Sequence, residues 1–566
     1  MKLLFGTAIV CIVLLSGCSK QELAPQPPVV SAQEQAVAMP DQFAADVAMQ
    51  IMDAGGNAVD AAIAAQFSLA VTYPEAGNIG GGGFMLTYMD GKTNFLDYRE
   101  TAPSGASRDM YLNEQGEVVS DLPVYGILAS GVPGTVAGMW AAHQKYGSLP
   151  WEDLLAPAIK LAEEGFEMPS QLFERIEGYQ SSVSEKDIKV NFADYFDGVK
   201  TGEKFVQPEL ASTLKRIQMQ GADGFYKGET AKHIVDFMNA KNGLITEQDL
   251  AAYNAKWREP IITQWREFTV VSASPPSSGG IAIAQWLQMY DRVKARSGKI
   301  EHNSQQYIHV LAEIGKRVFA DRAEYLGDPD FYDVPKSALL AADYLDSRAA
   351  EVNLEEISNT ENVKPGLDES HDTTHFSIVD SFGNAVSNTT TINLSFGSGM
   401  VVEGAGFLLN NEMDDFSAKS GVANSFGAVG GDANAIAPNK RMLSSMSPTI
   451  LLEDDKIKLV TGSPGGTTII SSVYLSILNA IEFDMSAQKI VDSPRFHHQL
   501  LPKDMIYYHD TLADDVVTAL QEKGYVMRAG NFGDLQVIVN TKKGLEAASE
   551  SRNRGSAEVT PAESGI

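Results

Sequence analysis

The chain has 566 residues, of which 44% are hydrophobic and 21% are charged, values typical of a globular protein with a substantial core. Its formal net charge of -29 argues against a nucleic-acid backbone or an anionic lipid surface as the partner. This length allows either one large catalytic unit or more than one core.

The N-terminus has the pattern of an export signal. Lys2 precedes an apolar run over residues 3–15, shorter than the roughly 20 residues needed to span a bilayer. The Leu-Ser-Gly-Cys sequence that ends at Cys18 is similar to the lipobox of bacterial lipoproteins. That resemblance implies a signal peptide over residues 1–17 and a lipid on Cys18, and Ser19 favours sorting to the outer membrane. The alternative is an uncleaved signal anchor, which also tethers the protein to a membrane.

Cysteine usage excludes several kinds of site. The chain contains only Cys11 and Cys18, so we expect no disulfide framework, no cysteine-based zinc site and no thiol nucleophile. The stretch "QELAPQPPVV" within residues 18–35 predicts a polar tether between the lipid and the folded body.

Two helices and a glycine-rich loop open the folded part. Residues 43–52 carry apolar side chains at helical spacing and stop at Gly55-Gly56, and Asn57 can cap an Ala-rich second helix. The sequence "GNIGGGGF" then precedes two predicted strands around the Asp90-Gly91 turn. This loop runs from helix to strand, the reverse of a nucleotide-binding fingerprint. We therefore interpret it as close backbone packing or site architecture.

The rest of the chain changes character near residue 370. Residues 130–350 are predicted to be mostly helical, and the polar, acidic residues 351–370 suggest a flexible loop. "HFSIVD-SFGN-AVSNTTTINL" and "SPTILLEDDKIKLVTG" each predict a strand hairpin, and residues 467–483 predict a helix. Helical sequence followed by sheet-rich sequence indicates layers of helices over a sheet.

The stretch "HDTTHFSIVD", from His371 to Asp380, allows three interpretations. His371 and His375 have a spacing used by helical zinc sites, but the alternating residues after them predict a strand. The threonines could instead be ordinary strand residues. The third interpretation is a nucleophile, which requires a cut between Asp372 and Thr373, because the freed α-amine can act as the base of the threonine hydroxyl.

Several motifs, taken in order, resemble the γ-glutamyltransferase family of N-terminal-nucleophile hydrolases. Upstream they are "GGNAVDAAIAA", "GNIGGGGF", "DYRETAP" and "GVPGTVAG". Downstream they are "TTHFSIVDSFGNAVSNTTTINLSFGSG", "LLNNEMDDFSA", "NKRMLSSMSPTI" and "VTGSPGG". The resemblance covers nearly everything after residue 35.

The resemblance implies an α/β (α+β) fold, a four-layer αββα sandwich formed jointly by two self-cleaved fragments. The large fragment would cover residues 36–372 and the small catalytic fragment residues 373–566. It also implies glutathione and related γ-glutamyl donors, transfer to water or to amino acid and peptide amines, and no metal or organic cofactor.

The same resemblance assigns roles to individual residues. Backbone N–H groups at a helix N-terminus suit an oxyanion, a planar guanidinium suits a carboxylate, and carboxylates suit an ammonium group. The implied roles are Thr373 as nucleophile, Thr391 orienting it, Gly465 and Gly466 as oxyanion hole, Arg99, Ser444 and Ser445 for the donor α-carboxylate, and Asn393, Glu412 and Asp415 for its α-ammonium group.

Four positions depart from the family pattern or carry no assigned role. Phe426 lies in a stretch resembling the lid loop, where an aromatic residue with a hydroxyl is common, so we expect looser closure. Met442 replaces a common Pro, with little expected effect. We interpret His497-His498 as structural.

Two rival functions remain open on the sequence alone. An acylase of the same superfamily would cut glutaryl side chains, which lack an α-ammonium group, so Asp415 argues against it. An inactive, solute-binding lipoprotein would show one uncut chain.

Overall fold

The computed structural model describes residues 34–186, 188–360, 363, 373–419 and 431–561. The strands are β1 Glu34–Met39, β2 Gly82–Met89, β3 Lys92–Asp97, β4 Phe166–Glu167, β5 Lys204–Phe205, β6 Lys256–Arg258, β7 Ile261–Trp265, β8 Phe268–Ser272, β9 Thr374–Val379, β10 Ala385–Thr391, β11 Thr449–Glu453, β12 Lys456–Gly462, β13 Phe496–His497, β14 Met505–Tyr508, β15 Val526–Ala529, β16 Gln536–Thr541, β17 Gly544–Ser549 and β18 Ser556–Pro561.

The α-helices follow in the same chain order. They are α1 Gln42–Asp53, α2 Ala58–Thr72, α3 Thr135–Tyr146, α4 Trp151–Glu164, α5 Ser170–Ser184, α6 Ala193–Phe196, α7 Pro208–Gln220, α8 Asp223–Tyr226, α9 Gly228–Lys241, α10 Glu247–Ala252, α11 Gly279–Ser297, α12 Gln305–Tyr325, α13 Lys336–Leu339, α14 Ala342–Ala350, α15 Thr468–Ile481, α16 Ala487–Asp492 and α17 Asp514–Lys523. Among the described residues, no helix is both long enough and apolar enough to cross a bilayer.

Two antiparallel sheets form the centre of the described chain. The first has seven strands in the order β18-β1-β9-β10-β2-β3-β6, and the second has six in the order β17-β16-β12-β11-β8-β7. Each sheet combines strands from before and after Thr373. The two predicted fragments therefore share both sheets.

The two sheets stack face to face, with helices on both outer faces. Along β1, Val37 and Met39 pack into the core beneath α1 and α2, whereas Ala36 and Ala38 belong to the core shared with the second sheet. This alternation is what a strand with two buried faces requires. Helices α11, α15 and α16 cover the second sheet, and α12 packs against α11. The predicted αββα architecture is confirmed.

The predicted opening elements are confirmed. The first helix spans Gln42–Asp53, and Asn57 caps the second through its side chain, which accepts from the backbone N–H groups of Val59 and Asp60. A Cβ added at Gly80 would lie 2.1 Å from the carbonyl oxygen of Leu408. The glycine run therefore allows close backbone contact, as the sequence indicated.

Both predicted hairpins and the helix after them are also present, as β9–β10, β11–β12 and α15. The prediction missed β1 and the β7–β8 hairpin, which lies inside the region predicted to be mostly helical. Both hairpin strands have five residues, and their buried and exposed positions do not follow a clear alternation of apolar and polar side chains. Strands as short as these give a weak periodic signal.

The expectation of a flexible loop over residues 351–370 needs correction for residues 351–360. This segment has little regular structure, but buried side chains of α12 hold it. Glu313 accepts from the backbone N–H of Ser358 at 3.1 Å and from its hydroxyl, and Lys316 donates to the Ser358 carbonyl at 3.0 Å. Residues 361–362 and 364–370 lie outside the described residues.

Candidate active site

The register of two strands brings Thr373 and Thr391 together. Thr373 directly precedes β9, and Thr391 ends the neighbouring antiparallel strand β10. Their hydroxyl oxygens lie 3.4 Å apart. Thr391 is buried, and its hydroxyl accepts from the backbone N–H of Asn393 at 2.7 Å. Thr373 is half-buried at the edge of a pocket.

One pocket gathers nearly all the site residues predicted from the sequence. Its lining comprises Arg99, Thr373, Thr391, Asn393, Glu412, Asp415, Ser444, Ser445, Met446, Gly466 and Ile469. Gly465 stands directly beside this lining, one residue before Gly466. Residues more than 300 positions apart in the chain therefore meet around one hydroxyl.

A buried guanidinium, that of Arg99, lines the pocket. Arg99 is 1% exposed and forms ion pairs with Glu412 and Asp415, while its remaining N–H groups face the carbonyl oxygens of Met442 and Leu443 at 3.4 and 3.3 Å. Burial opposes the charged form, but the two carboxylates hold the pKa of Arg99 above its ordinary value. Arg99 is predicted to bind the α-carboxylate of the donor, and Glu412 and Asp415 are predicted to bind its α-ammonium group. In this structure these three side chains pair with each other.

The sequence reasoning missed Glu100 as a component of this cluster. Glu100 is fully buried, and its carboxylate lies 3.8 Å from Arg99. Burial raises the pKa of Glu100 to about 7, and burial together with the charge of Glu100 raises the pKa of Glu412 well above its ordinary value. The one available signal was its place beside Arg99 in "DYRETAP".

The predicted oxyanion glycines lie where strand β12 gives way to helix α15. Gly465 and Gly466 have φ angles of 127° and 55°, in the left-handed region that favours glycine. A Cβ on Gly465 would lie 2.3 Å from the hydroxyl of Thr468. The backbone N–H groups of a helix N-terminus are suited to developing negative charge.

Backbone conformation also positions Asn393. Its φ of 74° is a left-handed value that asparagine tolerates better than most residues. Its side-chain amide donates to the carbonyl of Asn411 at 3.0 Å. This arrangement turns the chain after β10 so that Asn393 lines the pocket.

The serine pair, Ser444 and Ser445, lies against the residues that precede α11. The backbone N–H of Ser444 donates to the carbonyl of Pro276 at 2.8 Å, and its hydroxyl accepts from the N–H of Met446 at 3.1 Å. Ser445 accepts from Arg322 at 3.1 Å. Arg322 was also missed from the sequence, because nothing in its local helical pattern indicates a contact with residues more than 100 positions later.

The histidines have structural partners. His375 lies on β9, contacts Thr389 and Ser377, and burial lowers its pKa to about 3. Burial lowers the pKa of His498 to about 4, and its ring contacts the carbonyl of Met505. Among the described residues, no group of three or more His, Cys, Asp or Glu side chains is arranged to hold a metal ion.

Some predicted positions lie outside the described residues. These are His371, Asp372, Cys18 and Phe426. Met442 is described and fully buried, in a small apolar cluster with Met413 and Phe416.

A stacked two-sheet sandwich with helices on both outer faces and a threonine hydroxyl at the start of a central strand define an N-terminal-nucleophile hydrolase. The chain belongs to the gamma-glutamyltranspeptidase family, whose sequence profile matches residues 44–560. The glutathione hydrolase proenzyme of Pseudomonas aeruginosa is 56% identical over 92% of this chain and 93% of its own length. That of Escherichia coli is 44% identical over 92% of both chains.

Two solved structures show the same fold. The gamma-glutamyltranspeptidase of Pseudomonas nitroreducens complexed with L-DON is 54% identical, with a TM-score of 0.56 over 58% of this chain and 97% of that one. Cephalosporin acylase from Bacillus halodurans has a TM-score of 0.82 over 96% of this chain and 99% of its own, at 27% identity. The protein is thus an enzyme of the γ-glutamyltransferase type, and the acylase is the more distant relative.

Proposed function

We propose that this chain is a proenzyme that cuts itself between Asp372 and Thr373 and then transfers γ-glutamyl groups from glutathione and related donors. The acceptors are water or the amines of amino acids and peptides. One observation carries the proposal: the pocket at Thr373 combines a hydroxyl, a guanidinium, carboxylates and helix N-terminal amides. The proenzyme relatives support the self-processing step.

Self-cleavage requires an acyl shift from nitrogen to oxygen. The Oγ1 of Thr373 attacks the carbonyl carbon of Asp372, the peptide C–N bond breaks as an ester forms, and the hydroxyl proton passes to the departing nitrogen. Water then hydrolyses the ester. The products are a carboxylate on Asp372 and a free α-amine on Thr373. After removal of the signal peptide, the cut gives a large chain of residues 18–372, whose folded part is residues 36–372, and a small chain of residues 373–566.

The freed amine activates the hydroxyl for the second reaction. An α-amine has an ordinary pKa of about 7.7–8.0, so near neutral pH it can accept the hydroxyl proton as Oγ1 attacks the γ-carbonyl of the donor. The leaving amine departs with that proton, and water or an acceptor amine resolves the ester. The Thr391 hydroxyl, 3.4 Å away, orients Oγ1, and the N–H groups of Gly465 and Gly466 stabilise the oxyanion.

The charged groups of the pocket match the donor's α-carbon substituents. A donor carboxylate would pair with Arg99 and the hydroxyls of Ser444 and Ser445, and a donor ammonium group with Asp415 and Glu412. The zwitterionic donor would thus replace the ion pairs between Arg99 and the two carboxylates by ion pairs between these side chains and its own charged groups, with no change in net charge. A glutaryl side chain has no ammonium group, and it would leave these buried carboxylates with one cation fewer.

The export pattern supports a location outside the cytoplasm. We propose that residues 1–17 are removed as a signal peptide, that Cys18 carries the lipid, and that residues 18–35 tether the enzyme to the periplasmic side of the outer membrane. All but the last two of these residues lie outside the described residues. The sequence pattern at Cys18 is the support for this part of the proposal.

The test is the state and activity of purified protein. We expect two bands on a denaturing gel, a small fragment whose N-terminal sequence begins at Thr373, and release of glutamate from glutathione. Thr373→Ala should leave the chain whole and inactive, because the variant lacks the attacking oxygen. Thr373→Ser is the matched control and should restore cleavage and some activity. An intact Asp372–Thr373 bond in folded wild-type protein would overturn the proposal.

A further inference from the structure

A buried amide side chain connects two segments that line the pocket. Asn434 is 5% exposed and is not among the described residues of the pocket lining. Its Nδ2 donates to the carbonyl oxygen of Asp415 at 2.7 Å, and its Oδ1 accepts from the backbone N–H of Leu443 at 2.9 Å. One residue therefore holds both the segment that carries Asp415 and the segment that carries Ser444.

The guanidinium of Arg99 contacts the same two residues. Its Nη2 pairs with the carboxylate of Asp415 and also faces the carbonyl oxygen of Leu443 at 3.3 Å. The side chains of Arg99 and Asn434 thus form two separate bridges between Asp415 and Leu443. Only the bridge through Arg99 uses charged groups that the proposed donor would also bind.

The backbone around Asn434 is itself fixed. The buried ammonium group of Lys440 donates to the carbonyl oxygens of Ala433 and Ala435, at 2.7 and 2.9 Å, on either side of the asparagine. The carbonyl oxygen of Asn434 accepts from the backbone N–H of Ser417 at 3.0 Å. The asparagine therefore has a fixed backbone from which it can hold its two partners in place.

Donor binding gives the bridge through Asn434 a role. A donor carboxylate that pairs with Arg99 and a donor ammonium group that pairs with Asp415 would replace the ion pair between these two side chains. The hydrogen bonds of Asn434 join neutral amide and backbone groups, so they would persist. Binding groups that are already in place before the ligand arrives reduce the free energy lost in ordering them.

We propose that Asn434 is a positioning residue for the donor. It keeps Asp415 and the segment of Leu443 and Ser444 at the spacing that fits the α-ammonium and α-carboxylate groups of one γ-glutamyl donor. This inference rests on the proposed function, in which these two segments bind those two groups. Because Asn434 lies outside the described lining, it should affect donor binding more than the chemical step at Thr373.

The test is the kinetics of mature enzyme with a γ-glutamyl anilide. Asn434→Ala removes both hydrogen bonds, and we expect KM to rise at least tenfold with kcat changed less than threefold. The inhibition constant of glutamate, which carries both α-substituents, should rise by a similar factor.

A second variant, Asn434→Asp, keeps the shape of the side chain. Its ionised carboxylate can accept from the N–H of Leu443 but cannot donate to the carbonyl of Asp415, so KM should rise at least threefold. This variant provides the measurement if Asn434→Ala yields no folded, cut enzyme.

Asn191→Ala is the matched control. Asn191 is also buried, and its amide forms two hydrogen bonds with the backbone of Val401, at 2.8 and 2.9 Å. Val401 is not among the described residues that line the pocket. The control loses the same number of side-chain hydrogen bonds as Asn434→Ala, so it should lose stability but keep the parental KM.

The outcomes distinguish the inference from the proposed function. Wild-type enzyme that releases no product from the anilide would refute the function itself. An active wild type with an unaltered KM in Asn434→Ala, or in Asn434→Asp where the first variant does not fold, would refute only the role of Asn434. Equal increases of KM in Asn434→Ala and Asn191→Ala, or loss of folded enzyme in both Asn434 variants, would also refute that role, because either result indicates a contribution to folding alone.

Discussion

Glu100 shows how one buried side chain makes the stability of the folded chain depend on pH. It is fully buried next to Arg99, and burial raises its pKa to about 7 from the ordinary carboxyl value of 4.5. Folding therefore retains a proton that the unfolded chain releases at lower pH. The contribution of Glu100 to stability is complete below pH 4.5 and is lost as pH rises through about 7.

This linkage predicts the behaviour of Glu100→Gln. The amide cannot ionise, so between pH 5 and 7 the variant should lose less stability than its parent, by at most about 1.4 kcal/mol per pH unit. The measurement is the free energy of unfolding by urea at each pH, with both proteins carrying Thr373→Ala so that one uncut chain is compared. Glu114→Gln, at an exposed position, is the control and should follow the parent. Equal pH slopes for Glu100→Gln and its parent would contradict the raised pKa.

At the scale of elements, α12 acts as a buried polar support between the site and the segment before the cleavage point. Ser358 forms hydrogen bonds with three side chains of this helix, those of Glu313, Lys316 and Arg317. Further along the same helix, Arg322 donates a hydrogen bond to the hydroxyl of Ser445. Although burial acts in the opposite direction, Lys316 and the Ser358 hydroxyl keep the pKa of Glu313 below its ordinary value. The carboxylate is therefore the ionised centre of this network.

Removing the negative charge of Glu313 should lower the free energy of unfolding. Glu313→Gln leaves Lys316 and Arg317 buried with one counter-charge fewer, and losing one partner of a buried ion pair destabilises proteins by about 3–5 kcal/mol. We expect a lower free energy of unfolding in urea and faster hydrogen exchange at residues 351–360. Glu324→Gln, an exposed position on the same helix, is the matched control. If both variants unfold alike, the network does not hold the segment.

At the scale of the whole molecule, the predicted cut divides the chain but not the fold. Strand β1 pairs with β9 on one side and β18 on the other, and β8 pairs with β11, so backbone hydrogen bonds join the two fragments in both sheets. Separating them would expose two cores and several strand edges. The fragments are therefore parts of one cooperative structure.

We accordingly expect the cut protein to remain one particle. Gel filtration in native buffer should give a single peak that contains both bands of the denaturing gel. Residues 373–566 expressed alone should be insoluble, because β9 lacks β1 and β10 lacks β2. Two separate native peaks, or a soluble and folded small fragment, would contradict this expectation.

The sequence by itself determined much of the fold and most of the candidate pocket. Alternation in "HFSIVD" and helical spacing after Phe43 express local preferences that the tertiary structure kept, and the ordered motifs identified the residues from Arg99 to Gly466. It did not reveal β7 and β8, whose short strands depend on the neighbours with which they pair. It also indicated flexibility at residues 351–360, where buried charges on another helix impose order.

Only the tertiary structure decided which groups act on each other. Arg99 pairs with carboxylates more than 300 residues away, Glu100 has its raised pKa because the folded chain buries it, and Arg322 reaches Ser445 across a helix–loop contact. The local sequence shows the chemical type of each residue and the periodicity of helices and strands, because periodicity depends on near neighbours. Burial and charge pairing depend on distant segments, and they exist only once the sheets have stacked.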